Sequence, residues 1–170
     1  PFMADDLRLR TNNRLWVPGL YKGVVWESNP RLFYLGMQDQ YYTFNMFDAQ
    51  AWYARDVILG RITLPSAAEM AAHGAGWLAR EEALETVYEE IDFQGDYTQE
   101  LVDETDYPDF DIPAVNRMFK EWKGHKGQDM MGYRDKGFPS TITGGMAPVH
   151  HTPWIEAMDD SMASYLSGAP

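Results

Sequence analysis

Residues 33–47, FYLGMQDQYYTFNMF, constrain this chain more than any other stretch. Phe33, Tyr34 and Leu35 form a continuously apolar triplet, which predicts a buried strand. Gly36 breaks it and the chain turns polar. From Thr43 onward Phe44, Phe47, Ala51, Ala54 and Ile58 recur every third or fourth position. That spacing predicts one apolar face on a helix over about 43–59, with Gly60 at its C-terminal cap. Gln38, Asp39, Gln40 and Thr43 then sit on a turn at the carboxyl end of a strand. Ligands of α/β sheets bind there, and a helix start offers unpaired N–H donors. The same residues would also serve as helix caps with no ligand present.

Elsewhere, turn residues bound short extended pieces at 15–17, 23–26 and 32–36. Ser66 and Glu69 stand at capping-box spacing. Met70, Trp77, Leu84 and Tyr88 carry the helix they open to about residue 88. Residues 92–111 are acidic and broken, with room for a short helix at 98–105. Asp111 caps a helix striped by Ile112, Val115, Phe119 and Trp122. A last helix follows Thr152–Pro153. Short strands followed by a helical tail predict the end of an α/β architecture, one third of a larger two-domain protein. The opening at Pro1, without an initiator methionine, reads as a cut through a longer chain.

Composition limits the partners. The net charge of −12 repels nucleic acid and anionic membranes, so neither is an expected partner. The chain has no cysteine, which excludes disulfides and thiolate chemistry and fits a reducing cytoplasmic setting. No apolar run approaches the ~20 residues of a membrane span. A GxGxxG fingerprint is absent: Gly74 and Gly76 lack the leading strand and the third glycine. His150 and His151 are adjacent, and on extended backbone they point to opposite faces, so no metal site is expected. The acidic run 103–111 lacks the calcium-loop pattern.

The runs NNRLW (12–16), LYKGVVWE (20–27), FYLGMQDQYYTFNMFDAQAWYARDVILGR (33–61), DYPDFDIPA (106–114) and MAPVHHTPW (146–154) resemble the C-terminal part of the bacterial flavin-containing monooxygenases. The likeness is to those that N-oxygenate small amines such as trimethylamine. It implies a two-domain, Rossmann-type enzyme using FAD, NADPH and O2 through a C4a-hydroperoxyflavin. Residues 1–62 would be the return from the NADPH domain plus the strand–turn–helix of the FAD domain. Residues 63–170 would be a helical tail packed on that domain. By the resemblance Gln40 and Thr43 meet the flavin, Asp39 stands beside them, and Arg134 reaches NADP(H). Tyr41, Tyr42 and Trp52 could wall a methylammonium by cation–π attraction. The resemblance further implies a homodimer and a missing N-terminal part that carries the glycine fingerprints. This segment alone is therefore expected to lack tight flavin binding and turnover. The same scaffold acting on sulfides or ketones, or a non-catalytic module, are the alternatives.

Overall fold

The computed structural model describes residues 4–9, 14–141 and 144–146. They are mostly helical, with one two-stranded sheet. Two compact units divide between Ile112 and Pro113. Residues 63–112 thus belong with the strand–turn–helix corner, whereas the division expected at residue 62 concerned the domains of a parent enzyme. The expected helix after Thr152, and His150 and His151, lie outside the described residues.

In the first unit, β1 (Leu20–Tyr21) and β2 (Val25–Trp26) form an antiparallel hairpin. Lys22 and Gly23 turn it with positive φ, +53° and +64°. Residues 15–17 are buried but form no strand, and Phe33 adds a single bridge to Val25. The expectation of three strands is therefore corrected to a hairpin. In these residues local apolarity signals burial, and the pairing of 32–34 with the hairpin stops at that one bridge and its flanking bonds.

α1 (Thr43–Ile58) follows the corner as predicted. Its end is a Schellman motif: Gly60 N donates to Val57 O, Arg61 N donates to Asp56 O, and Gly60 takes φ +71°. The predicted stripe is only partly the buried side: Ala54 is buried and Phe47 and Ala51 are half-buried. Phe44 and Ile58 are 77% and 68% exposed, while Met46, Ala49, Gln50 and Tyr53 are fully buried. α1 is apolar on two sides. It packs one against α3 and leaves the other open.

α2 (Ala67–Glu82) starts at the predicted Ser66–Glu69 capping box but stops six residues early. A second capping box, Thr86 with Glu89, opens α3 (Val87–Asp103). The segment read as a broken acidic loop is thus mostly a 17-residue helix. Trp77 of α2 stacks on Trp16 with ring centroids 5.3 Å apart, and Phe93 and Tyr97 of α3 meet its edge.

In the second unit, α4 (Ile112–Gln128) is followed by a 3-10 turn at Tyr133–Asp135. Trp122 packs edge-on against the buried Tyr133.

Candidate functional site

The turn between Phe33 and α1 is held from below by side chains of α1 and α3. Gly36 takes φ +70° and lies against the Phe47 ring. Its N–H donates to Gln50 Oε1 at 2.8 Å. Gln50 Nε2 donates to Gln38 Oε1 at 2.9 Å and to Tyr97 Oη at 2.8 Å. Gln38 Nε2 donates to Gly23 O, and Tyr97 Oη donates to Lys22 O. All three side chains are buried, so each of these bonds is protected from competing water. Gln38, which the sequence placed on a ligand-facing turn, is thus a structural residue.

The next three residues differ. Asp39 is exposed, and its Oδ1 accepts from Gln40 N at 2.9 Å. Gln40 is half-buried, and its Oε1 is shielded from solvent with no partner. Tyr41 N donates to Gln94 Oε1 at 2.6 Å, and Tyr41 Oη donates to Glu90 at 3.1 Å. Burial first, then Glu90 and Asp39, push the Tyr41 phenol well above its usual range, so it stays protonated.

Thr43 begins α1 at φ +33°, a strained value for a β-branched residue. Its hydroxyl lies 3.5 Å from Tyr41 O. No side chain caps α1 and no acid stands in its first turn, whereas α2 and α3 each carry a full capping box. The start of α1, beside Gln40 and Thr43, thus carries no side-chain cap of its own. Carboxylates of Asp39, Glu81 and Glu90 line a cleft of about 200 Å³ alongside.

Tyr42 is 3% exposed, with its hydroxyl on Ile112 O, and the Trp52 ring is taken by Arg55 at 4.2 Å. In the second unit Arg134 is exposed and stands 4.6 Å over the Tyr133 ring. Sequence reasoning missed Gln94, Tyr97 and Gln50. The Thr86–Glu89 box was the one signal that could have placed the first two on a helix.

No family model matches the chain. Curated proteins do. "Trimethylamine monooxygenase" of Methylocella silvestris is 59% identical over 165 residues, 97% of this chain and 37% of that protein. The protein of the same name from Roseovarius nubinhibens is 60% identical over 166 residues, again 97% and 37%. The crystal structure of Tmm from Pelagibacter sp. strain HTCC7211 superposes with a TM-score of 0.86 at 54% identity, over 96% of this chain and 37% of that one. The chain thus spans little more than a third of the length of the relatives it matches. Over that third, it is a homologue of the bacterial trimethylamine monooxygenases in both sequence and fold.

Proposed function

We propose that the chain is the C-terminal portion of an NADPH-dependent flavin monooxygenase that converts trimethylamine to its N-oxide. The observation that carries this reading is the match, at 59% identity, to an enzyme of that name over 97% of the chain. The open second face of α1 supports it too, because a helix apolar on two sides belongs inside a larger protein. The missing N-terminal part would cover that face and bring the glycine loops for the cofactor phosphates. A Rossmann-type α/β parent, a homodimer and a cytoplasmic setting belong to the same reading.

The residues present fit a flavin ring rather than its phosphates. An uncapped helix start offers N–H donors, and Gln40 offers an unpaired acceptor. The carboxylates of the adjoining cleft would repel a phosphate and tolerate a neutral ring edge. Gln40 and Thr43 would hold the ring, with Asp39 beside them fixing the Gln40 backbone. FAD, when bound, supplies the activation of O2, and NADPH supplies the electrons. This chain's own part is to bind, orient and shield, without a covalent nucleophile. The test is product analysis of the full-length polypeptide with trimethylamine, a sulfide and a cyclic ketone. N-oxide formation with NADPH consumed one to one is expected. Sulfoxide or lactone as the preferred product would reassign the substrate. Turnover by residues 1–170 alone would sink the reading.

Arg134 would take a phosphate of the nicotinamide cofactor, its guanidinium oriented by the Tyr133 ring beneath it. Arg134→Ala in the full-length enzyme should raise the KM for NADPH about tenfold, the worth of one charge-assisted hydrogen bond. Arg134→Lys should recover little of it, since an ammonium lacks the planar fork. An unchanged KM in both variants removes Arg134 from the site.

A further inference from the structure

Gln94 is 1% exposed, near the middle of α3, and its carboxamide spends both ends on one short piece of backbone. Its Oε1 accepts from Tyr41 N at 2.6 Å, and its Nε2 donates to Asp39 O. Those two backbone groups bracket Gln40. Gln40 has little else to fix it: its own N–H reaches only the neighbouring Asp39 side chain, and its Oε1 has no partner.

We propose that Gln94 is a positioning residue for the cofactor, clamping the backbone on both sides of Gln40 so that this side chain meets the flavin ring from a preset place. The proposal deepens the reading in which Gln40 touches the flavin and rests on it. A buried carboxamide suits the task because it carries a donor and an acceptor in one plane. Glutamate keeps the acceptor but loses the donor. Methionine keeps the length and loses both. Asparagine is one methylene too short to reach. The clamp is also separate from the Gln50–Gln38–Tyr97 set, which holds residues 36–38 from below. Loosening Gln94 therefore releases the backbone on both sides of Gln40, while the base of the turn, the Asp39 N–H on Arg14 O and the Tyr41 hydroxyl on Glu90 stay in place. A turn ordered before the ring arrives loses no freedom on binding, and that saving appears as affinity.

The experiment uses the full-length enzyme stripped of flavin, with FAD titrated back by fluorescence. The visible spectrum of the rebound flavin and the thermal midpoint of the apoprotein are recorded alongside. Gln94→Met is expected to weaken FAD binding about tenfold and Gln94→Glu about threefold, both with displaced flavin bands. Leu101→Ala, a cavity in the core face of the same helix, is the control. It should lower the apoprotein midpoint as far and leave FAD affinity within about twofold. Gln40→Leu tests the underlying reading and should weaken FAD by about threefold to tenfold. If Gln40→Leu weakens binding while both Gln94 variants bind and absorb as wild type, Gln94 is only structural and the proposal fails. Equal losses in Gln94→Met and Leu101→Ala also overturn it, because stability alone then explains them. If Gln40→Leu binds normally, the reading beneath it fails as well. Should Gln94→Met not fold, the Gln94→Glu comparison decides by the same criteria.

Discussion

Replacing Gly23 by alanine is expected to remove about 4 kcal/mol of folding stability, the sum of a strained backbone and an overpacked core. Gly23 sits at φ +64°, where a Cβ is disfavoured in any surroundings. Its surroundings are also closed. A Cβ there would stand 2.0 Å from Gln38 Nε2 and 2.5 Å from Tyr97 Oη. Neither atom can swing aside without cost. Gln38 and Tyr97 are 3% and 1% exposed, and they are tied to each other and to Gln50. The hairpin turn would thus push on the same side chains that support residues 36–38. Gly19 supplies the comparison: it takes φ +82° with nothing within 4 Å of its added Cβ. Gly19→Ala should therefore cost only about 1 kcal/mol, the backbone part alone. Urea midpoints of the two variants, at unchanged m-value, measure the difference. Equal midpoints would mean that the Gln38–Tyr97 network yields to a methyl group and is not a rigid support.

The legible parts of this fold were those written in local chemistry. The α1 span, the Gly60 cap and the Ser66–Glu69 box each rest on a few neighbouring residues, and each is present. The parts that failed depend on what a face meets. Phe44, Phe47, Ala51, Ala54 and Ile58 do form a helical stripe, but of these only Ala54 is buried, and α1 turns its Met46–Ala49–Tyr53 side inward in this chain. Spacing alone does not rank two apolar faces when the partner of one is missing. The heptad interval from Met70 to Tyr88 overran the Thr86–Glu89 box, although that box was readable. α3 was hidden for a third reason. Its buried face carries Gln94, Gly95 and Thr98 among Ile91 and Leu101, so an apolar count sees no stripe. The positions that break the apolar pattern include Gln94, whose side chain reaches the Asp39–Tyr41 backbone. Gln40, Thr43 and Asp39 could be singled out in the sequence because they lie on the turn itself. Gln94 was missed because its contact is made across 53 residues of chain.

The second large effect concerns Lys22, whose ammonium is buried beside the same network. Its side chain is 4% exposed and Nζ donates to Glu100 at 2.7 Å and to Glu104. His73 meets the same Glu100 oxygen at 2.8 Å. Lys22→Met should cost about 3 kcal/mol at neutral pH, because two carboxylates are left facing one another without their cation. Glu104 is 40% exposed and recovers water, so most of the loss falls on Glu100. The pH dependence carries a sign that packing loss alone would not produce. In the wild type, burial pulls the Lys22 pKa down, but the hydrogen bonds to Glu100 and Glu104 outweigh it and hold it above the ordinary value. That contribution is complete below about pH 10.4 and is lost as pH rises through the raised folded value. For Glu100, burial pushes the carboxyl up, but His73 and Lys22 outweigh it and hold it below the ordinary range. Its contribution is present above about pH 4.3 and is lost as pH falls through the lowered value. Tyr21 and Tyr53 lie against the same charges, and burial raises both phenols, so neither ionises in between. The Lys22 and Glu100 contributions are therefore both present from about pH 5 to 10 in the wild type. Without Lys22, burial and Glu104 act on Glu100 with only His73 opposed, and its pKa rises. The folded state then binds more protons than the unfolded one, and stability increases on acidification. Thermal midpoints at pH 7.5 and 5.5 should converge toward wild type at the lower pH in Lys22→Met. They should not converge in the double variant Lys22→Met, Glu100→Gln, which lacks the buried carboxylate and keeps only the part-exposed Glu104. A Lys22→Met deficit that stays constant with pH would show that lost packing, and not charge, is what Lys22 contributes.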